Sequence, residues 1–373
     1  MSQLNVPVVE FTLEKHPNAD TLSIAHIKGW QCVVKTQDFE NEVLGVYVPI
    51  DSIAESDHAL LGFLEGKKVR TIKLRKILSQ GVLLPYSIVC RYLGYEPKID
   101  ENLADALSIR KYEAPLKTGS MFQSGKSLVD IYHEQPDWFC KFTDIENWNN
   151  YPSIIKSGDY VVITEKLHGT NSRYGISKDG EIFIGSHNRT LKLFPFISSR
   201  EQKRWNNRSF FRKVVDYVLR RKPKVTVPPP SVWSQIYYRE NFSEVLSSLR
   251  NVYPNSDIVV YGEIVGPGIQ DLTYGHELEF YAFGLTINGL YIDPRIAKLS
   301  LEMLNLKFVP ILYDGNFNEN LLDLCNGKSE LADHIKEGII IEDLTNSFDS
   351  HIGRIILKKI SEAYYLRKNG TDN

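Results

Sequence analysis

Residues 161–175 read VVITEKLHGTNSRYG, an apolar run that ends on Lys166 and reopens as a second strand-like run past His-Gly-Thr-Asn. Valine, isoleucine and threonine favour extended backbone and glycine and asparagine favour turns, so the stretch predicts a hairpin turn between strands. Taken alone, Lys166 is then a solvated shoulder of that turn, because a lysine followed three residues later by glycine is nearly expected by chance in 373 residues. What sets it apart is company. Glu263 in VVYGEIVGPG, Glu337 opening EGIIIED and Lys358 in RIILKKIS are also charges inside strand-like runs, where an unpaired charge is costly. Each by itself fits a strand end facing water; together they would line one pocket with two cations and two carboxylates. Such a pocket has a chemical use. Nearby cations lower a lysine pKa from about 10.4 toward neutrality, and a neutral amine is a strong nucleophile. Basic side chains and Mg2+ would stabilise a phosphoryl group in transfer, with the carboxylates holding that metal or a ribose hydroxyl.

Working outward, strand signals recur in SRYGIS, EIFIGS, LEFYAFGLTING and GRIILKKIS, while residues 200–224 and SVWSQIYYRENFSEVLSSLRN carry helical patterns, the latter after a PPP break. DIENWNNYPSII predicts a helix opening this part of the chain. The mixture predicts an α+β domain dominated by antiparallel strands. Upstream, short apolar runs such as VPVVEFTL, QCVVKT and VLGVYVPI are separated by Gly, Pro, Asn and Asp, the pattern of a small β-barrel or sandwich. RKYEAPLKTGSMFQSGKS has no apolar periodicity and reads as a linker. The expected division is residues 1–115, a linker at 116–130 and a second domain at 131–373.

Composition narrows the classes. With 42% hydrophobic and 24% charged residues and a net charge of −2, the chain is neither a basic tail nor a wholly disordered protein, so any nucleic-acid surface must be a local patch. Two patches qualify. Residues 200–224 hold ten Lys/Arg against two acids, with Trp205, Phe210, Phe211 and Tyr217 interleaved, which suits phosphates and stacked bases as well as a wet helix face. Arg70, Lys73, Arg75 and Lys76 form the other, which also fits a solvated edge strand. GSMFQSGKS imitates a phosphate-binding loop but misses the required glycine spacing by one residue and follows no apolar strand. Cys32, Cys90, Cys140 and Cys325 are too scattered for a metal site and suit a reducing compartment. No basic-then-apolar leader opens the chain and no run of about 18 apolar residues occurs, which predicts a soluble intracellular protein without membrane contact, cytoplasmic by default, with nucleus and organelle left open.

In their order, these segments resemble the covalent nucleotidyltransferase superfamily of ligases and capping enzymes. Lys166-Leu167-His168-Gly169 matches its defining K-x-x-G motif, and Thr170-Asn171 after it with Glu165 before it look more like RNA ligases than DNA ligases. SHNR, YGEIVG, FYAFGL, EGIIIED and LKKIS resemble the motifs that follow, in the family's order. The resemblance implies that Lys166 becomes adenylylated, that Glu263 contacts the ribose and that Phe283 stacks on adenine. It further implies that Glu337 organises the metal, that Lys358 meets the α-phosphate, and that Gly169, Asn171, Arg189 and Glu165 border the nucleotide. One departure concerns the last motif, which usually spaces its lysines two apart, whereas Lys358 and Lys359 are adjacent. Side chains alternate along a strand, so only one of the two can face the pocket; Lys358 is the expected one, with Lys359 as the alternative nucleotide contact.

HPNADTLSIAHIKG and VRTIKLRKILSQGVLLP look like an OB-fold of the tRNA-binding type. About a dozen residues follow LKKIS, which leaves no expected space for an OB domain behind the motifs. An OB-fold barrel in front of an α+β nucleotidyltransferase domain, with ATP-grasp-like antiparallel sheets and helices, is the arrangement of the Deinococcus-type ATP-dependent RNA ligases. That resemblance implies ATP with Mg2+ or Mn2+, a monomer, and a nicked duplex of RNA or RNA/DNA hybrid, sealed with RNA preferred on the 3′-hydroxyl side. A capping-type guanylyltransferase, which would label with GTP, and a non-catalytic RNA-binding module, which would carry no covalent nucleotide, are the alternatives.

Overall fold

The computed structural model describes residues 4–112, 132–193, 196–197, 199–209, 212, 219, 222–223, 225–226, 231–346 and 348–367. The expected linker, its imitation of a phosphate loop, and Phe210, Phe211 and Tyr217 lie outside the described residues. The N-terminal region is built mainly of strands, with short helices at Thr36–Phe39 and Tyr86–Leu93. Val8–Glu10, Leu44–Val48 and Val82–Pro85 form one antiparallel sheet, Thr12–Lys15, Leu22–Ile27 and Trp30–Lys35 a second, and Thr71–Leu74 pairs with Ile77–Gln80. Alternation builds its core: Trp30, Cys32 and Val34 pack with Val9, Ala25, Ile27, Tyr47 and Leu83. The next parity joins the strands. Gln31 Nε2 donates to the Leu78 carbonyl at 2.7 Å and the Val33 amide to Ser79 Oγ at 3.0 Å.

The chain gathers into two compact units. One comprises residues 1–115, 144–166 and 311–373, the other 116–143 and 167–310. Each unit is assembled from strands far apart in sequence, a pairing that no local pattern reveals. In the first unit the lysine strand Tyr160–Lys166 lies between Ile311–Asn316 and Gly338–Asp343, followed by Ile356–Ile360 and the two-residue strand Glu146–Asn147. All pair antiparallel except the last, which is parallel. One face of this sheet is apolar: Val161, Ile163, Ile339, Ile341 and Leu357 pack with Trp148, Ile155 and Phe317. The expected helix at DIENWNNYPSII is instead that short strand and the 3-10 turn Trp148–Asn150. Asn147 explains the departure, because its side chain accepts the Asn149 amide at 2.9 Å, a local bond that competes with helix continuation.

The second unit is a sheet running Tyr132–His133, Thr190–Leu191, Ile182–Ser186, Thr170–Ile176, Ile258–Val265, Glu279–Ile287 and Leu290–Tyr291, with Lys307–Phe308 added in parallel. Helices Val232–Arg239 and Phe242–Val252 hold its apolar face, where Tyr174 stacks on Phe242 with ring centroids 3.9 Å apart. The single helix expected there is two. Asn241 takes a left-handed φ of 48° that no continuous helix accommodates. In the basic segment Ser199–Asn206 is helical, and Arg208 lies 3.8 Å over the Trp205 ring. Among the described residues no helix is long and apolar enough to cross a membrane.

Candidate active site

Lys166 closes its strand opposite Gly338, and Thr164, two residues earlier, lies in register with Ile340 and through it with Lys358. Residues of that parity share the face opposite the apolar core, so Lys166 and Lys358 face the same side. Glu337 immediately precedes Gly338 and brings a carboxylate there: Lys166 Nζ donates to Glu337 Oε1 at 2.6 Å, with 28% of the lysine side chain exposed and 8% of the glutamate. Burial and then the Lys166 charge pull Lys358 below the usual lysine range, against the Glu146 and Glu337 carboxylates. Two cations and a carboxylate thus meet on one sheet face.

Two residues expected at the nucleotide face the other way. Glu165 shares parity with Val161 and Ile163; it is buried, and its Oε2 accepts the Glu330 amide at 2.8 Å. Lys359 follows Leu357 toward the core side and donates from Nζ to Asn149 Oδ1 at 2.6 Å. Alternation is the reason in both cases, since each directly adjoins a residue that faces the lysine side.

The second unit holds the remaining expected residues. Asn171 and Glu263 are direct partners across adjacent strands, so they share a face. The Asn171 Oδ1 is buried with no hydrogen-bond partner among the described residues. Phe283 owes its aim to a bulge: Tyr261 pairs with Gly284 and Gly262 with Ala282, which leaves Phe283 as the extra residue. Its ring meets Phe142 edge-on at 4.9 Å. Arg189 is exposed in the turn joining Ile182–Ser186 to Thr190–Leu191. Gly169 is dictated by space, because a Cβ there would lie 2.3 Å from the Ile264 carbonyl oxygen and 2.7 Å from Glu263 Cγ.

Sequence reasoning passed over the residues that clamp this turn. Within GIQDLTYGH, Tyr274 Oη accepts the His168 amide at 3.0 Å, Gln270 Nε2 donates to the Gly169 carbonyl at 3.2 Å, and Asp271 Oδ1 lies 2.8 Å from His168 Nε2. The available signal was a polar, glycine-flanked segment directly after YGEIVG. Arg173 was also passed over, although a charge inside a strand run is such a signal. Its fully buried guanidinium donates to the Phe139 carbonyl at 2.9 Å and to Gln135 Oε1 at 2.8 Å, pinning the segment that carries Phe142.

The profile of the RNA ligase family matches residues 159–360, more than half of the chain, and an OB-fold domain profile matches residues 8–86. The chain belongs to the RNA ligase family. No curated protein matches it. Among solved structures it is similar to an RNA ligase mutant of Naegleria gruberi with ATP and Mn, at 23% identity over 96% of this chain and 98% of that one, with a TM-score of 0.73. It is similar also to the Naegleria gruberi RNA ligase with PPi, at 23% identity over 98% of each chain and a TM-score of 0.72. A further mutant of that ligase, with AMP and Mn, matches at 22% identity over 97% of this chain and 98% of that one, with a TM-score of 0.74. At these identities the likeness is one of fold, and it extends over both the OB strands and the RNA ligase portion.

Proposed function

We propose that this RNA ligase family member joins a 3′-hydroxyl to a 5′-phosphate at a nick in duplex nucleic acid, using ATP through a lysyl-adenylate. The observation that carries the reading is the Lys166–Glu337 contact of 2.6 Å on the face shared with Lys358. Lys166 Nζ must shed a proton before it can attack, and Glu337 Oε1 is the atom placed to take it. The amine nitrogen then bonds to the α-phosphorus of ATP, the bond to the bridging oxygen breaks and pyrophosphate leaves; Lys358 is placed to neutralise charge on the α-phosphate. The adenylyl group passes from nitrogen to an oxygen of the 5′-phosphate, and the 3′-hydroxyl oxygen finally displaces AMP. Positioning and charge neutralisation carry all three steps. A 2′-hydroxyl is the handle by which an RNA preference on the 3′-hydroxyl side would be read.

The ATP bound to the Naegleria relatives and the fit of the residues here support the nucleotide. Asn171 Oδ1 offers a buried acceptor to a sugar hydroxyl, Glu263 lies beside it, and Phe283 presents a ring from its bulge. Among the described residues no cluster of three or more His, Cys, Asp and Glu can hold an ion unaided. Glu337 therefore fits Mg2+ or Mn2+ taken up with the nucleotide phosphates, a coordination that relies on one or two carboxylates. Bound there, the ion would neutralise phosphate charge. The test is incubation with Mg2+ and α-labelled ATP or GTP, followed by denaturing electrophoresis of wild type and Lys166→Ala. Label from ATP that is lost in the variant is expected; label from GTP moves the chain to the capping chemistry. Absence of label from either, with an intact mass unchanged by pyrophosphate, ends the proposal.

A further inference from the structure

The two adjacent lysines of LKKIS leave one of them without a nucleotide to touch, and its surroundings give it another task. Lys359 Nζ reaches Asn149 Oδ1 at 2.6 Å on the core side of the catalytic sheet. Asn149 is itself 5% exposed, in the 3-10 turn Trp148–Asn150. That turn is tied to the catalytic strand a second time, because Glu146 and Asn147 directly before it pair in parallel with Leu357 and Lys358.

The other side of the turn receives the OB region. The hairpin of Leu22–Ile27 and Trp30–Lys35 ends at Lys28 and Gly29, and the Gly29 amide donates to the Asn149 carbonyl at 2.9 Å. Trp30 Nε1 donates to Asn150 Oδ1 at 2.8 Å. The approach is so close that a Cβ on Gly29 would lie 2.7 Å from Asn149 Cα. One asparagine therefore holds the OB hairpin tip with its backbone carbonyl and Lys359 with its side-chain carbonyl.

We propose that Lys359 and Asn149 are positioning residues: they bolt the OB hairpin tip to the back of the strand that presents Lys358 to Lys166, so the aim of Lys358 depends on that docking. Lys359 is one peptide from Lys358, and a strand held from behind cannot rotate or slide without moving the side chain in front. Displacement of a reacting group by about 1 Å is enough to cost on the order of 100-fold in rate. An OB region that binds nucleic acid would thereby share a three-residue turn with a lysine acting on phosphate. The inference rests on the ligase reading above, since adenylylation is its readout.

The experiment is single-turnover adenylylation with labelled ATP over a range of concentrations, in wild type, Lys359→Met, Asn149→Ala, their double variant and Asn149→Asp, each with its melting temperature. Lys359→Met and Asn149→Ala should each lower the maximal rate by roughly 10- to 100-fold with half-saturating ATP unchanged, and the double variant should be no slower than the worse single. Asn149→Asp, which keeps the Oδ1 acceptor, should stay within about threefold of wild type, a rescue that separates the bond from the fold. A raised half-saturating ATP in Lys359→Met with a silent Asn149→Ala would mean that Lys359 meets phosphate directly and would overturn the proposal, as would additive losses in the double variant. Wild type without label would remove the ligase reading and this inference together.

Discussion

Replacing Gly169 with alanine tests the site through space alone. The added methyl would sit 2.3 Å from the Ile264 carbonyl oxygen, where ordinary contact begins at 3.4 Å, so about 1.1 Å (3.4 − 2.3) must be found. Little can yield. The obstructing atom is backbone in the strand Ile258–Val265, which is paired on both edges, and Glu263 Cγ blocks a second direction at 2.7 Å. The glycine peptide must move instead, against the bonds from Gln270 and, one residue earlier, Tyr274. Overpacking of this kind costs about 1–3 kcal/mol, a fall of several degrees in melting temperature. On the proposed chemistry the effect on activity should be larger: a shift of about 1 Å three residues after Lys166 predicts roughly a 100-fold loss in the rate of lysine adenylylation. The assay is single-turnover labelling with α-labelled ATP beside thermal melting. Gly62→Ala is the control, since its methyl would meet nothing closer than 3.4 Å. Adenylylation by Gly169→Ala within about threefold of wild type would sink the claim that this turn has no space for a side chain.

Phe283→Leu removes a stacking surface worth about 1–3 kcal/mol, so KM for ATP should rise roughly 5- to 150-fold while kcat holds; an unchanged KM means the bulge aims the ring elsewhere. Lys358→Met should abolish adenylylation yet raise stability at neutral pH, because burial and the Lys166 charge depress the folded pKa of Lys358 below the ordinary lysine value of 10.5. The unfolded state then binds more protons between the folded pKa and 10.5, so wild-type stability climbs with pH there and the variant's advantage closes. Urea melts at pH 8 and 10.5 that differ by a constant amount between the two proteins would contradict this. Arg70, Lys73 and Arg75 are all exposed on or beside the hairpin Thr71–Leu74/Ile77–Gln80, and neutralising them should weaken nick sealing, flatten its salt dependence by about two to three powers and spare adenylylation. Equal loss of both activities would refute that division of labour.

How far the site was legible depends on how local its determinants are. VVITEKLHGTN announces a strand, a turn and a glycine because propensity and turn chemistry act over a few residues, and FYAFGL announces a strand for the same reason. DIENWNN misled because one side-chain cap at Asn147 outweighed its helical pattern, whereas the run from Val232 to Val252 is helical as expected and is only broken in two by the left-handed Asn241. The clamp formed by Gln270, Asp271 and Tyr274 was invisible because it closes on residues about a hundred positions earlier.

Local sequence was enough for a run of short strands followed by an α+β domain, for the lysine at a strand end, and for the rule that Lys358 and Lys359 face opposite ways. Those follow from local backbone preference and the two-residue period of a strand. The tertiary structure decided which lysine faces Lys166, that Glu165 turns away, that Phe283 rides on a bulge, and that Glu337 reaches Lys166 from 171 residues away. Alternation fixes only relative sides; which side meets the core depends on strand pairing and packing between distant segments, and a local pattern does not encode that.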